Sequence, residues 1–315
     1  MRILRLDDAR LRQEPTVATI GFFDGVHLGH RHLINRVIET AKRAQLLSTV
    51  VTFERHPRQV LSPDWQPVLL TTLDEKAELL ATTGIDQLAV LPFDARMASL
   101  SAFDFMSDVL QKTLNVKVLL TGYDNHFGHR TKGSSEGFHD YEEYGRRLGM
   151  TILQGDALTT DDIRVSSSKV RQMLAAGDVA RAAHCLGRPY ALTGTVVGGE
   201  HVGTALGYPT ANLEPADRHK LIPATGVYAV RVRVGDSPRC WDGMMNIGSR
   251  PTFGGDHRTL EAHIMDFDAD IYGQPITVMF ISRLRSEQRF DNPEMLKAQL
   301  AADAESAKEI LTKNL

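Results

Sequence analysis

Two histidines three residues apart, His27 and His30, stand where a strand pattern gives way to a helix pattern. The apolar run 17–23 predicts a strand and the amphipathic run 28–44 predicts a helix, so both imidazoles belong to the helix start. Backbone N–H groups there lack partners within the helix, and the helix dipole favours anions. Gly29 has no Cβ to obstruct a bulky ligand. The segment predicts a phosphate site, against the plainer alternative of two partly exposed histidines.

A second candidate anion site is a serine-rich turn that also opens a helical pattern. Ser166 and Ser167 offer hydroxyl and N–H groups at the helix start, and Lys169 and Arg171 add positive charge. By itself, this turn is equally consistent with an ordinary helix cap beside solvated basic residues.

A glycine-bearing loop in the second half of the chain is a third candidate. Gly203 and Gly207 permit close approach of the backbone to phosphates, and Pro209 fixes the turn. Thr210 and Asn212 offer neutral oxygens of the kind that suit Mg²⁺ bound together with waters and substrate phosphates. The alternative for this loop alone is an ordinary hairpin turn.

Positioning these groups requires two kinds of fold. Up to about residue 187, β-branched runs alternate with helical periods, and Thr72 and Ser101 open helices in the manner of capping boxes. This alternation predicts a doubly wound parallel sheet that binds ligands at the carboxyl ends of its strands. The predicted strands are 17–23, 48–53, 88–91, 116–121 and 150–154, and the predicted helices include 28–44 and 138–148.

The pattern of predicted secondary structure changes after residue 187. Strand-like runs are separated by Gly, Pro, Asn and Asp, with no helical period between them, which predicts a small antiparallel barrel. A final amphipathic run, 292–311, predicts a helix. We therefore expect two domains, 1–187 and 188–315. The predicted barrel strands are 190–197, 226–234, 239–247, 261–267 and 276–284.

Composition narrows the function classes. The chain has 315 residues, enough for about two domains. Its 36 basic and 39 acidic residues give a net charge of −3, without the basic excess that binders of long nucleic acids need. Cys185 and Cys240 lie far apart, which disfavours a disulfide scaffold or structural zinc and fits a reducing cytoplasm. Without a signal-like or membrane-spanning run, we expect a soluble cytoplasmic protein.

The motifs of the first half together resemble the HxGH nucleotidyltransferase superfamily. Segments 21–30, 52–57 and 165–171 resemble, more narrowly, the adenylyltransferase module of the prokaryotic bifunctional riboflavin kinase/FAD synthetase family. Segment 122–128 matches in part, because Asn125 and His126 stand where many members have Phe-Arg. The resemblance implies a Rossmann-like domain whose ATP-binding residues are Gly21, Phe22, Phe23, Asp24, His27, Gly29, His30, Ser166, Ser167 and Arg171.

The chemistry implied by this resemblance needs no protein nucleophile. The phosphate of FMN attacks the α-phosphorus of ATP in line, and pyrophosphate leaves. His27 and His30 would hold the triphosphate as catalytic residues, and Mg²⁺ would accompany ATP. We expect Asp24 to cap the following helix, although it could instead orient its loop.

Four ordered segments of the second half resemble the riboflavin kinase module, a six-stranded Greek-key barrel: 203–212, 245–253, 261–267 and 284–290. By pattern alone Glu261 would be a solvent-facing strand carboxylate, whereas the resemblance makes it the base that deprotonates a primary hydroxyl. Arg285 and Glu287 would hold the flavin, with Phe290 near its ring. Thr204 replaces a common arginine, which weakens one expected phosphate contact.

The resemblance as a whole implies a bifunctional enzyme that uses ATP, riboflavin and FMN, without nucleic acid, membrane or an obligate protein partner. The C-terminal module would convert riboflavin to FMN, and the N-terminal module would convert FMN to FAD. Two alternatives stay open. One is an HxGH transferase for another phosphorylated substrate, and the other is a flavin-responsive or RNA-binding regulator on the same scaffold, which the near-neutral charge disfavours for RNA.

Overall fold

The structure is a computed structural model that describes residues 1–5, 14–62, 64–123, 127–128, 136–160, 163–199, 203, 206–252 and 255–313. The chain forms two compact units, Met1–Ser166 and Ser167–Leu315. Within the described ranges, no helix has the length and apolar character needed to cross a membrane.

The first unit is built on a six-stranded parallel sheet. Its strands pair in the order β1-β4-β3-β2-β5-β6, so β2 lies where the strand order reverses. Loops at such a switch point open into a crevice at the carboxyl edge of the sheet. The predicted doubly wound sheet is confirmed. The strands are β1 (Arg2–Arg5), β2 (Thr16–Ile20), β3 (Leu47–Phe53), β4 (Gln87–Leu91), β5 (Val116–Thr121) and β6 (Thr151–Gln154), followed by the small hairpin β7 (Thr159–Thr160) and β8 (Ile163–Arg164).

Helices cover both faces of this sheet. They are α1 (Leu28–Ala44), α2 (Pro57–Leu61), α3 (Leu73–Ala81), α4 (Ala95–Ser99), α5 (Ala102–Asp104), a π-helix (Phe105–Thr113) and α6 (Phe138–Leu148). The capping box at Thr72 is confirmed, because its hydroxyl accepts from Glu75 N while the Glu75 carboxylate accepts from Thr72 N. The helix expected after Ser101 starts with the predicted cap but continues as a π-helix, which the sequence did not indicate.

Alternate residues of the strands supply two core layers, as the period of two requires. One layer joins the sheet to α1 and α3, and includes Val17, Ile34, Val37, Val50, Leu80 and Leu88. The other joins it to the π-helix and α6, and includes Ala18, Ile20, Val51, Phe105, Met106, Leu110 and Tyr141.

The second unit is a closed antiparallel barrel with strand order β10-β13-β12-β11-β14-β9. The predicted barrel is confirmed, with β10 as a strand that the sequence pattern had shown only as a loop. The elements are α7 (Ser167–Ala175), α8 (Val179–Leu186), β9 (Tyr190–Val197), β10 (Ala211–Pro215), β11 (Gly226–Val234), β12 (Cys240–Thr252), β13 (Gly255–Ile264), β14 (Pro275–Arg285) and α9 (Pro293–Lys313).

Helices α7 and α8 belong to the barrel unit, since α7 packs on α8 and α8 packs on β9 and β14. The compact units therefore divide after Ser166, whereas the change of sequence texture comes near residue 187. The strand pattern marks the start of the barrel, but it carries no signal for the helices that pack against it.

The C-terminal helix α9 is fastened to the barrel by an ion pair. Nε and Nη2 of Arg285, at the end of β14, donate to the carboxylate of Asp303 on α9 at 2.8–3.0 Å. Gln299 Nε2 donates to the same carboxylate at 2.9 Å. The Asp303 side chain is 4% exposed and that of Arg285 19% exposed, so both charges are poorly hydrated.

The substitution Asp303→Ala should lower the free energy of unfolding of the barrel unit by about 3 kcal/mol, because it leaves the Arg285 guanidinium without its counter-charge. Urea unfolding followed by Trp241 fluorescence in a Trp65→Phe background measures this unit, since the chain has 2 tryptophans, one in each unit.

The matched control is Glu305→Ala on the same helix, which breaks a pair with Lys308 whose side chains are 77% and 56% exposed. Exposed pairs contribute little, so the expected loss is below about 0.5 kcal/mol. Equal losses for the two variants would contradict a specific contribution from the Arg285–Asp303 pair.

Candidate active sites

The loop between β2 and α1 leaves the sheet through a strained turn. Phe23 has φ 54° and Val26 has φ 39°, and Gly25 between them has φ 81°. Positive φ is uncommon for non-glycine residues and especially unfavourable for a β-branched one. Val26 N donates to Phe23 O at 3.1 Å and closes the turn. Such a conformation persists only where the surrounding structure holds it.

Asp24 holds this loop, and the prediction that it caps α1 is wrong. Its carboxylate, on a residue only 3% exposed, accepts from the N–H groups of Leu70 and Thr71 at 2.9–3.0 Å. The Thr71 hydroxyl donates to Asp24 at 3.1 Å and accepts from Gly25 N at 3.0 Å. The carboxylate is thus committed to the chain preceding α3, which is the alternative loop-orienting role.

The N-cap of α1 is His27, whose Nδ1 accepts from His30 N at 3.2 Å. The two imidazoles are stacked, with ring centroids 3.5 Å apart and planes 17° apart. The edge of Phe23 packs on His30 at 5.1 Å. The structure therefore brings together the two predicted histidines at the start of the helix, on the carboxyl edge of the sheet.

Gly29 packs closely against its neighbours in this site. A Cβ at this position would lie 3.2 Å from ring atoms of His27 and 3.4 Å from Val165 O. We expected the missing Cβ of Gly29 to leave room for a ligand. In the structure that space is occupied by the His27 imidazole and by the backbone that leads into Ser166. Ser166 ends the first unit, whereas Ser167 and Arg171 lie on α7 in the second unit.

A buried lysine beneath the loop was not predicted. Lys76 is 2% exposed, and its Nζ donates to Phe22 O at 3.0 Å and to Thr52 Oγ1 at 3.1 Å. The Thr52 hydroxyl donates to the same Phe22 carbonyl at 3.1 Å. The only sequence signal was a lysine in the apolar stripe of α3, between Leu73 and Leu80.

Burial sets the protonation of this site. Desolvation, reinforced by the positive charges of His27 and Lys76, holds the pKa of His30 well below its usual range. Desolvation also lowers the pKa of Lys76 to about 8, although the negative charge of Asp24 opposes the shift. The His30 imidazole is therefore neutral at pH 7, and among the described residues its Nδ1 has no hydrogen-bond partner.

The barrel carries a second candidate site on three adjacent strands. Glu261 on β13 is directly opposite Asn212 on β10 and opposite Asn246 on β12. Opposed residues of antiparallel strands project from the same face, so the three side chains form one row. Glu261 and Asn246 line a cavity of about 280 Å³. Asn246 had no predicted role, since its function depends on this register.

Described residues of the loop before β10 line the same cavity as Glu261 and Asn246. Gly203 accepts from Tyr208 N at 2.8 Å, and a Cβ on Gly203 would lie 2.3 Å from Tyr208 O, so only glycine fits. Gly207 adopts φ 86°. His263 Nδ1 lies 2.8 Å from Pro209 O and ties this loop to β13. The predicted glycines thus shape the loop, and His263, which was not predicted, secures it.

The cavity of about 280 Å³ also contains the residues expected to hold flavin, Arg285, Glu287 and Phe290. The Arg285 guanidinium lies 5.7 Å from the Phe290 ring centroid. It donates to Asp303 and, through Nη1, to Ser286 O, so much of its hydrogen-bonding capacity fixes α9.

Thr210 lines this cavity and a second one of about 310 Å³, bordered by Pro209, Phe267, Ile271 and Tyr272. The two cavities meet at the hydroxyl-bearing residue of the loop. Three residues at which the sequence departs from the family pattern, Asn125, His126 and Thr204, lie outside the described residues.

Comparison with known families gives a separate match for each half of the chain. Residues 9–169 match the FAD synthetase family, and residues 186–311 match the riboflavin kinase family. A bifunctional riboflavin kinase/FMN adenylyltransferase of Escherichia coli K12 is 40% identical over 298 residues, which cover 94% of this chain and 93% of the relative. The chain belongs to the bifunctional riboflavin kinase/FMN adenylyltransferase family.

Two further known proteins are similar along nearly the whole chain. The Bacillus subtilis protein is 34% identical, with 94% of this chain and 92% of the relative covered. A crystal structure described as a macrolide-efflux protein from Streptococcus pneumoniae has a TM-score of 0.88 at 30% identity, covering 98% of this chain and 99% of that one. Both family domains, and the order in which they occur, are therefore established.

The imidazole of His30 should remain neutral in the free protein down to a pH well below 6.5, because its environment disfavours the added charge. Two-dimensional ¹H–¹³C NMR of the ring Cε1–Hε1 signal, recorded between pH 5 and 8, follows this titration. The signal is assigned by its loss in His30→Gln. A midpoint at or above the ordinary histidine value would contradict the burial that the structure assigns to this ring.

Proposed function

We propose that this chain makes FAD from riboflavin in two ATP-dependent steps at two separate sites. The barrel site phosphorylates riboflavin to FMN, and the sheet-edge site transfers AMP from ATP to FMN. The observation that carries the proposal is the presence on one chain of two distinct sites: a stacked histidine pair at a helix start and a carboxylate flanked by two asparagines. Each lies in the domain whose family carries the corresponding activity name.

In the kinase step, Glu261 is the base. Its carboxylate accepts the proton of the primary hydroxyl of riboflavin as that oxygen bonds to the γ-phosphorus of ATP and ADP leaves. Support comes from its position in the cavity of about 280 Å³, in one row with Asn212 and Asn246.

We assign one substrate of the kinase step to each of the two cavities in the barrel unit. We assign flavin to the cavity of about 280 Å³, which has Arg285, Glu287 and Phe290 in its wall. The cavity of about 310 Å³ is assigned to the nucleotide, because Pro209 and Thr210 of the predicted ATP-binding loop border it and Phe267, Ile271 and Tyr272 offer apolar surface to a base. Thr210 borders both cavities, which supports a role for its hydroxyl beside the transferred γ-phosphate.

Mg²⁺ fits the loop between these cavities. Thr210 and Asn212 offer a hydroxyl and an amide oxygen, which suit an ion that keeps waters and phosphate oxygens as its other ligands. The bound ion would neutralise part of the charge on the transferred phosphate. Gly203, Gly207 and Pro209 shape the loop that brings these oxygens to the row of Glu261.

In the adenylyl-transfer step, a phosphate oxygen of FMN bonds to the α-phosphorus of ATP, and the bond to the bridging oxygen breaks to release pyrophosphate. His27 and His30 hold the β- and γ-phosphates at the start of α1. The loop residues Gly21, Phe22, Phe23 and Asp24 shape this end of the site. Ser166, Ser167 and Arg171 are proposed as further phosphate ligands, which their serine-rich, basic turn supports.

The proposed functional division remains 1–187 for adenylyl transfer and 188–315 for the kinase. The family matches to residues 9–169 and 186–311 support it, although α7 and α8 pack with the barrel. The partners proposed are the small molecules ATP, riboflavin and FMN, and the proposed location is the cytoplasm, where ATP is available.

Reciprocal variants test the assignment of the two sites. Glu261→Gln should reduce FMN formation from riboflavin by roughly 10²- to 10⁴-fold, because the base is lost while the size of the side chain is kept. The same protein should still convert supplied FMN to FAD. His30→Gln should give the opposite result, with FMN accumulating from riboflavin and ATP. Chromatography of flavins after incubation with ATP and Mg²⁺ measures both conversions in one sample.

The unaltered protein provides the reference, and FMN followed by FAD is the expected time course. Loss of both activities in Glu261→Gln would overturn the two-site assignment. Turnover of neither flavin by the unaltered protein would favour an HxGH transferase for another phosphorylated substrate or a flavin-responsive regulator.

A further inference from the structure

Lys76 is a buried cation whose hydrogen bonds in the structure go to neutral oxygens. Its Nζ donates to the carbonyl of Phe22 and the hydroxyl of Thr52, and lies 4.2 Å from the centroid of the Phe22 ring. Burying an ammonium is costly even when its hydrogen bonds are satisfied, because neutral acceptors replace its hydration only in part. A lysine kept 2% exposed at such a position is therefore a poor choice for stability alone.

The Phe22 carbonyl, to which Lys76 donates, lies at the start of the strained turn. The next residue, Phe23, is the first of those with positive φ. It accepts from both Lys76 Nζ and Thr52 Oγ1, so strand β3 and helix α3 fix it together. The ring of Phe22 is in turn packed edge-on against His56 at 4.7 Å. Displacing this carbonyl would release the turn that leads to His27.

The charge of Lys76 also acts on the stacked imidazoles. The ionisable groups that face it are Asp24, His27 and His30 from the loop, with His56 beyond the Phe22 ring. The positive charge of Lys76 contributes to the lowered pKa of His30. The negative charge of Asp24 in turn raises the pKa of Lys76, against the larger effect of burial. The buried ammonium, close enough to the neutral His30 ring to lower its pKa, attracts a polyphosphate with little screening by water.

We propose that Lys76 is a positioning residue for adenylyl transfer: by clamping the Phe22 carbonyl it sets the stacked His27–His30 pair, and its buried ammonium draws the polyphosphate onto that pair. The inference rests on the proposed adenylyl-transfer function of the first unit. Lys76 need not touch ATP; it acts through the loop and through its charge.

The substitution Lys76→Met tests this in the full-length chain, because it keeps a long, flexible side chain of similar reach and removes the charge. The expected result is a 10- to 100-fold loss of kcat/KM for ATP in FMN adenylylation. Riboflavin phosphorylation by the same sample should stay within twofold, which verifies that the protein is folded and loaded at equal concentration. The control Lys42→Met, at an exposed position on α1, should change neither activity.

The pH profile separates a functional charge from a merely structural one. In the unaltered protein, kcat/KM for ATP in adenylylation should fall above about pH 8 as Lys76 loses its proton, and this alkaline limb should be absent in Lys76→Met. The measurement on the unaltered protein keeps the test decisive even if the variant folds poorly. An adenylylation profile that is flat from pH 7 to 9 overturns the inference.

The remaining outcomes are also decisive. Unchanged adenylylation in Lys76→Met, or a loss that leaves the alkaline limb in place, shows a structural role only and overturns the inference while the proposed function stands. Failure of the unaltered protein to make any FAD from FMN overturns the proposed function, and the inference with it.

Discussion

The loop between β2 and α1 must hold Phe23 and Val26 at positive φ while it presents two imidazoles in contact. Local contacts do not hold this loop alone, because the Val26 N–Phe23 O bond closes only the turn and the N-cap of α1 satisfies only the helix start. Two buried charged groups hold the loop through hydrogen bonds between segments that are distant in the sequence. The Asp24 carboxylate accepts from the N–H groups of residues 70 and 71, and Lys76 donates to the Phe22 carbonyl. The geometry of the histidine pair therefore depends on how α3 and the chain before it pack on the sheet.

The barrel site is positioned by strand register. Asn212, Glu261 and Asn246 share one face because three strands are paired residue for residue across it. A slip of one residue would turn Glu261 away from its cavity, since side chains alternate between faces with a period of two. Closure of the barrel removes free edges and so opposes such slips. A rigid scaffold can thus place a base with one strand and the adjacent polar groups with its neighbours.

The sequence predicts those features that depend on short windows of residues. Helix Leu28–Ala44 and strand Tyr190–Val197 have the bounds expected from periodicity, and the histidine pair lies at the predicted strand end. The role of Asp24 was mispredicted because capping is a local rule, whereas its partners lie 46 and 47 residues away. Lys76 was missed for the same reason, since 54 residues separate it from Phe22. Partners at such sequence separations cannot be identified from a local pattern, and the only local sign of Lys76 was its position in the apolar stripe of α3.

The two proposed sites present different charged groups to the phosphate of FMN, and this difference bears on where FMN is retained. Glu261 and Glu287 line the proposed flavin cavity, where three groups of the Arg285 guanidinium already donate to Asp303 and Ser286. Riboflavin is uncharged at its side chain, but FMN carries a phosphate that these carboxylates repel. The first unit offers a helix start and a buried ammonium instead. Under the proposed assignment of the two sites, charge disfavours retention of FMN at the barrel site and favours its binding at the sheet-edge site.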